Sequence, residues 1–273
     1  MSVTDHRTHM RKAVTPMLET VRTVLGRRSG LLLIAALLLL WEASARSGLI
    51  TSENWPPVSV IFLTLIRGLL SDGLVQVIGP TLYRFALGYV LGITAGAIVG
   101  FAFALMPFLR RMFEPIIELL RPIPAPALIP PLVLFLGVDD LMKVTIIAVT
   151  AFFPVTINTM QGASGVEQTY LAVARTFRTS PASVVMRIIV PGTLPYVLAG
   201  MRISLALALV VAVVSEMIAG ASGIGYYLVL MQYAVRSADM YAAIFVIAAL
   251  GCVLNAVFVA VERRLIFWYA QQP

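Results

Sequence analysis

Residues 166–195 read VEQTYLAVARTFRTSPASVVMRIIVPGTLP, a run with polar groups every few positions inside a chain otherwise built of long apolar stretches. Arg175, Arg178 and Arg187 are cationic, and Leu171, Ala174, Phe177, Val184 and Ile188 recur among them at helical spacing. That pattern predicts two short amphipathic helices with a break near Thr179-Ser180-Pro181. Ser180 is placed to cap the second helix, with Pro181 at its first helical position, where a missing N–H is harmless. A segment of this kind between membrane spans lies in water and offers a face to a soluble partner. Loops of this length are uncommon unless they carry a function.

Around this run the composition is that of a membrane protein. Hydrophobic residues make up 60% of the 273 and mean hydropathy is +0.94, far from the values of a soluble domain. Several apolar runs reach the roughly 20 residues that a bilayer-crossing helix needs. The formal net charge of +7 signals topology and not nucleic acid, because Arg and Lys gather beside the apolar runs. Cys252, the single cysteine, lies in an apolar run, reads as a packing residue and can form no internal disulfide. The only lysines are Lys12 and Lys143, neither preceded by Gly, so no Walker A loop exists. The only histidines, His6 and His9, lie in the N-terminal tail, which excludes HExxH zinc chemistry and a Ser-His dyad within the membrane. No catalytic residue, metal site or bound cofactor is expected in this chain.

An all-α, polytopic chain with six spans follows. Residues 1–29 read as a basic inner tail and 30–50 as the first span. LLLIAALLLL with Ala43-Ser44-Ala45 also resembles a secretory leader, but the long preceding tail favours an uncleaved span. Glu42 and Arg46, four apart, are set to pair on one helix face. Residues 51–80 form an outer segment in which Val58–Leu70, carrying Arg67, reads as a surface helix. The core runs over 81–264 and a tail over 265–273. Its spans are expected at Leu82–Met106, Ile116–Leu136, Leu141–Met160, Tyr196–Ala219 and Tyr241–Val261, with a surface or re-entrant segment over 220–240. Most basic residues then fall on the inner side, while the outer segments hold only Arg67, Lys143 and Arg236. The positive-inside rule therefore places both termini, and residues 166–195, in the cytoplasm.

Three features inside the spans stand out. Gly88, Gly92, Gly96 and Gly100 lie four apart on one helix face and predict close approach of another helix. Pro122, Pro124, Pro126, Pro130 and Pro131 crowd the third span. Their missing donors are tolerated where a cavity or neighbours satisfy the freed carbonyls, so this span is expected to line a pathway. Glu216, read as the one ionisable residue in a span's apolar run, is a gate or pathway candidate, expected to be protonated, to pair with a helix dipole or an Arg, or to sit high enough to reach outer water. Asn158, Ser204 and Ser215 are neutral pathway candidates, with hydrogen bonding between helices as the other reading. Arg202 and Arg121 lie near inner interfaces, where Arg202 is set to snorkel.

The run at 166–195 resembles the "EAA loop" of ABC importer permeases, whose usual pattern is Glu-Ala-Ala, a Gly a few residues on, then Ile/Val-x-x-Pro and Leu-Pro. Ala174, Arg175 and Thr176, then Ile188, Pro191, Leu194 and Pro195, stand at matching spacing. Ala172 occupies the place of the usual Glu, which leaves no carboxylate there to bridge to an ATPase. Arg178 occupies the place of the usual Gly and argues against a turn that needs one. GMRISLALALVVAVVSEMIAGASGIGYYL (200–228) and LRPIPAPALIPPLVLFLG (120–137) are similar to one branch, the permeases for nitrate, sulfonates, taurine and related small anions. The resemblance covers about residues 55–268 and implies a type I permease fold with an alternating-access cycle. It implies that Leu171, Ala172, Ala174, Arg175, Thr176, Phe177, Arg178, Ser180, Pro191 and Pro195 belong to the loop that docks on cytoplasmic ATPase subunits, which use the ATP and Mg. It further implies a periplasmic or lipid-anchored binding protein, a second permease copy as in a homodimer, and a multi-pass place in the inner membrane. A pyrimidine or vitamin-precursor cargo is the alternative within the family. An ion-coupled carrier is the alternative outside it and needs mid-span carboxylates and inverted repeats.

Overall fold

The computed structural model describes residues 30–48, 50, 52–71 and 73–267, so the tail expected at 1–29 and residues 268–273 lie outside it. The described residues are helical with no strand among them, and the chain divides into two compact units after Thr64.

In the first unit, helix α1 covers residues 30–46 and α2, Val58–Leu70, begins after a short turn. Trp41 and Trp55 stack with centroids 4.7 Å apart, and Trp55 Nε1 donates to Ser44 Oγ at 3.1 Å. Glu42 accepts from Arg46 Nε at 2.5 Å, the i,i+4 pair that the spacing predicts. Glu42 also accepts from the Ser59 amide at 3.0 Å and its hydroxyl at 2.8 Å. The carboxylate thus caps α2 from a distance, through a contact 17 residues away.

The second unit is built from long helices joined by shorter ones. These are α3 (Gly73–Leu105), α4 (Pro107–Leu120), α5 (Ile129–Leu136), α6 (Asp140–Ser164), α7 (Gln168–Thr176), α8 (Pro181–Ala219), α9 (Ile224–Tyr233) and α10 (Ser237–Leu265). Four of them, α3, α6, α8 and α10, are long and apolar enough to cross a membrane, and the α4–α5 pair makes a fifth if counted as one bent span. The expected six is reached only by adding α1.

α6 is the axis of the unit and packs along both α3 and α8. The reason lies in glycine. A Cβ on Gly88, Gly96 or Gly100 would come within 2.7 Å of the carbonyls of Val144, Phe152 or Thr156, and one on Gly92 would press on that of Ala148. Four successive turns of α3 therefore touch α6 backbone to backbone. On the opposite face of α6, Gly200 of α8 meets the Pro154 carbonyl at 2.9 Å by the same construction. Phe85, Ile147, Leu198, Leu205 and Leu209 fill the interior beside these contacts.

Several boundaries differ from the sequence expectation. α3 begins at Gly73 and not Leu82, and runs through Pro80, because Leu74 is buried against Ile224, Ala243 and Val246. The third span is not one helix over Ile116–Leu136. α4 ends at Leu120, a 3₁₀ turn covers Ala125–Leu128, and the bend is 93°. Pro122 and Pro124 have no N–H to carry the ladder on, so two nearby prolines break the helix outright. α6 extends the fourth span to Ser164, and α10 starts at Ser237 and ends at Leu265, beyond the Tyr241–Val261 expected.

Candidate functional site

At the α4–α5 break the chain opens a cavity of about 630 Å³ between that break, α6 and α8. It follows α6 from Val149 to Asn158 and α8 from Ile203 to Val211, a height of about 13 Å at ~1.5 Å per residue. Apolar side chains dominate its wall, with Arg121, Thr150 and Asn158 as the hydrogen-bonding side chains. The Thr150 hydroxyl donates to Ile146 O at 2.7 Å and the Asn158 amide to Pro154 O at 2.8 Å, each to its own helix. Arg121 has no ion-pair partner among the described residues. Of the pathway candidates read from the sequence, Pro124, Pro126 and Asn158 line this cavity. Pro122, Ser204, Ser215 and Glu216 do not. Ser204 and Ser215 are buried and donate to Met201 O and Ala212 O of their own helix.

Glu216 belongs to a separate, closed polar knot at the end of the bundle where α8 stops and α6 starts. Its side chain is fully buried and its Oε1 accepts from Arg84 Nη1 at 2.8 Å. Oε2 accepts from Thr81 Oγ1 at 2.8 Å and from the Gly225 amide at 3.1 Å. Arg84 also donates to Asp140 Oδ1 at 2.6 Å, Ser222 O at 2.9 Å and Ser222 Oγ at 2.7 Å. The Thr81 oxygen accepts in turn from the Ile224 amide at 2.9 Å. The turn between α8 and α9 thus wraps a carboxylate. Gly223, at φ 105°, is needed twice over: L side chains rarely adopt this angle, and a Cβ there would sit on the Glu216 carboxylate.

Glu216 is therefore not the sole ionisable group in a span. Arg84 lies in α3 and Lys143, assigned from sequence to an outer segment, is 2% exposed in α6 and donates to Val138 O at 2.5 Å. Arg84 was hidden by its neighbours: in TLYRFALGY it reads as one charge at the edge of an apolar run. The signal lay in a complementary pair, 132 residues apart, in two spans of one chain. Arg202 does not simply snorkel, since it pairs with Glu262 of α10. Near the knot, the Tyr227 hydroxyl lies 3.4 Å from Asp239 Oδ1, and burial followed by the Asp239 charge pushes its phenol above the usual range.

The third feature is the 166–195 segment. α7 spans Gln168–Thr176, Ser180 Oγ accepts from the Ser183 amide at 3.3 Å, and Pro181 opens the next helix. That helix is no separate short piece. α8 continues from Pro181 through one π-turn, Val185–Ile189, past Pro191 and Pro195 to Ala219. The π-turn ends two residues before Pro191, where the α-helical ladder must lose a donor. Arg178 does form the turn that its side chain argued against. It stands at φ 51°, with its amide donating to Arg175 O at 3.0 Å and the Thr179 amide to Ala174 O at 3.0 Å. These two bonds make a Schellman motif, with arginine in the left-handed position where glycine is usual. Phe177 is 78% exposed, and Tyr170 and Met186 are exposed as well, whereas Ala174 is buried. Leu171 is half-buried; Ala172, Arg175, Thr176 and Ser180 are exposed.

Among the described residues no group of three or more His, Cys, Asp or Glu side chains could hold a metal. The chain matches the model of the family "Binding-protein-dependent transport system inner membrane component" over residues 88–267. It is 31% identical over 255 residues to a putative aliphatic sulfonates transport permease protein of Bacillus subtilis, covering 92% of both chains. It is 30% identical over 243 residues to the taurine transport system permease protein of Escherichia coli, covering 87% of this chain and 88% of that one. Its fold is similar to a chain of the inward-facing MetNI methionine ABC transporter, with a TM-score of 0.57, 17% identity, and 73% of this chain and 97% of that one covered. The chain belongs to the binding-protein-dependent inner-membrane components, the permease subunits of ABC importers, in their sulfonate, taurine and nitrate branch.

Proposed function

We propose that this chain forms the membrane pathway of an ATP-driven importer for a small anion of the sulfonate, taurine or nitrate type, delivered by a binding protein. Two copies would enclose the pathway, with six spans each and both termini in the cytoplasm. Residues 166–195 would dock on the ATPase, so that closure of the ATPase pair rocks the spans between inward- and outward-open states. The observation that carries this reading is the α7–α8 junction. The amphipathic α7, followed by an exposed Phe177, is joined by a Schellman turn to a helix of 39 residues. A push on α7 would be passed through this turn to a helix that continues past the cavity. Glu216 speaks against the ion-coupled alternative, because its carboxylate is saturated by Arg84, Thr81 and Gly225 and is not free to take a coupling ion.

The test is co-purification of tagged chain from membranes, beside Phe177→Asp and Arg175→Glu. Both positions are exposed, so folding should survive. An ATPase subunit is expected with the wild type and at least about tenfold less with Phe177→Asp, the loss of a contact worth ~1.4 kcal/mol or more. Equal recovery of ATPase with both variants would remove the docking role. Uptake by the chain alone under an ion gradient would replace the reading with the carrier.

A further inference from the structure

We propose that the ATPase groove receiving residues 166–195 is acidic, with an apolar floor for Tyr170, Val173 and Phe177 and carboxylates facing Arg175, Arg178 and Arg187. The inference rests on the docking reading above and states the chemistry of its partner. α7 turns Leu171 and Ala174 inward, where they are half-buried and buried. Two flanks stay open. Tyr170, Val173 and Phe177 recur at i, i+3 and i+7 and are all exposed, a short apolar stripe of the kind that seats a helix in a groove. Ala172 and Arg175, three apart, share the second flank, and both are exposed.

The charge along the segment is one-sided. Arg175, Arg178 and Arg187 are exposed, and none has an ion-pair partner among the described residues. Glu167 is the one acid between Val166 and Pro195, so the segment is cationic by three arginines against one glutamate. Positive-inside topology is served by arginine anywhere beside the spans. Arg178, however, stands at φ 51°, where L side chains are rare, so the backbone gives no reason for a long side chain there. A groove wall of like sign would repel this surface, whereas carboxylates pair with guanidinium groups through two parallel bonds. Anionic lipid also attracts arginine. Headgroup binding, though, takes clusters of roughly four to eight cations, and here three arginines are interspersed with Thr176, Thr179, Ser180 and Ser183.

The experiment titrates the ATPase subunit recovered with the wild-type chain, purified and fluorescently labelled, into phosphatidylcholine nanodiscs holding the full chain. Ala172→Lys and Ala172→Glu place side chains of similar length and opposite charge at one exposed position, so their comparison cancels bulk. The Lys variant is expected to bind at least about fivefold more tightly than the Glu variant. Wild-type affinity should fall at least about tenfold between roughly 0.1 M and 1 M NaCl, as the screening length shrinks from about 10 Å to about 3 Å. Arg178→Gly should lose about threefold in affinity while raising the melting temperature, a split that a purely structural residue would not show. Monodisperse elution of each variant shows that it folds. Glu binding as well as Lys or better, or wild-type affinity that holds or rises with salt, would overturn the proposal. A charge difference confined to discs containing phosphatidylserine would assign the arginines to headgroups and overturn it as well. If Phe177→Asp abolishes binding while charge has no effect, docking stands and the acidic groove falls. If no ATPase is recovered with the wild type, both fall.

Discussion

Glu216 and Arg84 show what a single side chain costs and stabilises in this molecule. Each is almost fully buried; removing Arg84 leaves Glu216 without its ion-pair partner in the bundle interior, and removing Glu216 leaves Arg84 with Asp140 and Ser222 alone. Breaking such a pair typically destabilises by about 3–5 kcal/mol, while replacing both partners with apolar groups is far milder. Glu216→Ala and Arg84→Ala should each collapse the yield of monodisperse protein after detergent extraction, and Glu216→Met with Arg84→Met should recover part of it. Size-exclusion chromatography checks this, and singles no worse than the double would remove the pair as a stabilising unit. Glycine gives a second test at the same scale. A Cβ at Gly92 would strike the Ala148 carbonyl, whereas one at Gly79, in the same helix, meets nothing within 4 Å. Gly92→Ala should therefore lower the melting temperature, and Gly79→Ala should leave it level or raise it by the helix-propensity gain of about 0.5–1 kcal/mol. Equal effects at the two positions would mean that α3 and α6 do not touch along this face. Register on one face was legible from spacing, but the sequence could not name α6 as the partner.

Among the elements, the ends of the two short helices α7 and α9 share one solution. α9 closes as α7 does, with Val235 at φ 56°, its amide donating to Gln232 O at 3.1 Å and the Arg236 amide to Met231 O at 2.9 Å. A non-glycine residue in this conformation is strained by roughly 1–2 kcal/mol. Arg178→Gly and Val235→Gly should each raise the melting temperature in detergent, Val235→Gly by more, because its side chain is β-branched. A drop in either would show that the side chain contributes more than its backbone strain removes. Ser180→Ala should lose about 1 kcal/mol of N-cap stabilisation, visible as faster hydrogen exchange at residues 181–184. Ser180 and Pro181 were legible because a cap is a local motif. The Arg178 turn was not, because the family's glycine marks a preference and the two amide bonds that enforce the turn arise only once α7 presents the Ala174 and Arg175 carbonyls. The bent third span was half legible: five prolines announced a disturbance, but whether they kink or break a helix depends on what the flanking segments pack against.

For the whole molecule, the testable consequence is orientation. Phe177 and Tyr233 are 78% and 83% exposed and lie on the two segments assigned to opposite sides of the membrane. In a Cys252→Ser background, Tyr233→Cys should react with a membrane-impermeant maleimide on intact spheroplasts, and Phe177→Cys only after permeabilisation. The reverse pattern would invert the topology drawn from the positive residues. The broad exposed apolar surface of α10 is what lipid or a neighbouring subunit would cover.

Membrane class, all-helical architecture, the helix break at Ser180-Pro181 with its cap and the glycine face were readable from the amino-acid order alone. Each depends on composition, on spacing along one helix or on a motif a few residues long, which are properties of a linear pattern. The ionic knot, the helix break at Arg121 and the cavity it opens belong to the tertiary structure. They depend on groups such as Arg84, Asp140, Glu216 and Ser222 meeting from distant parts of the chain, and a buried charge is tolerated only where that meeting supplies its partners.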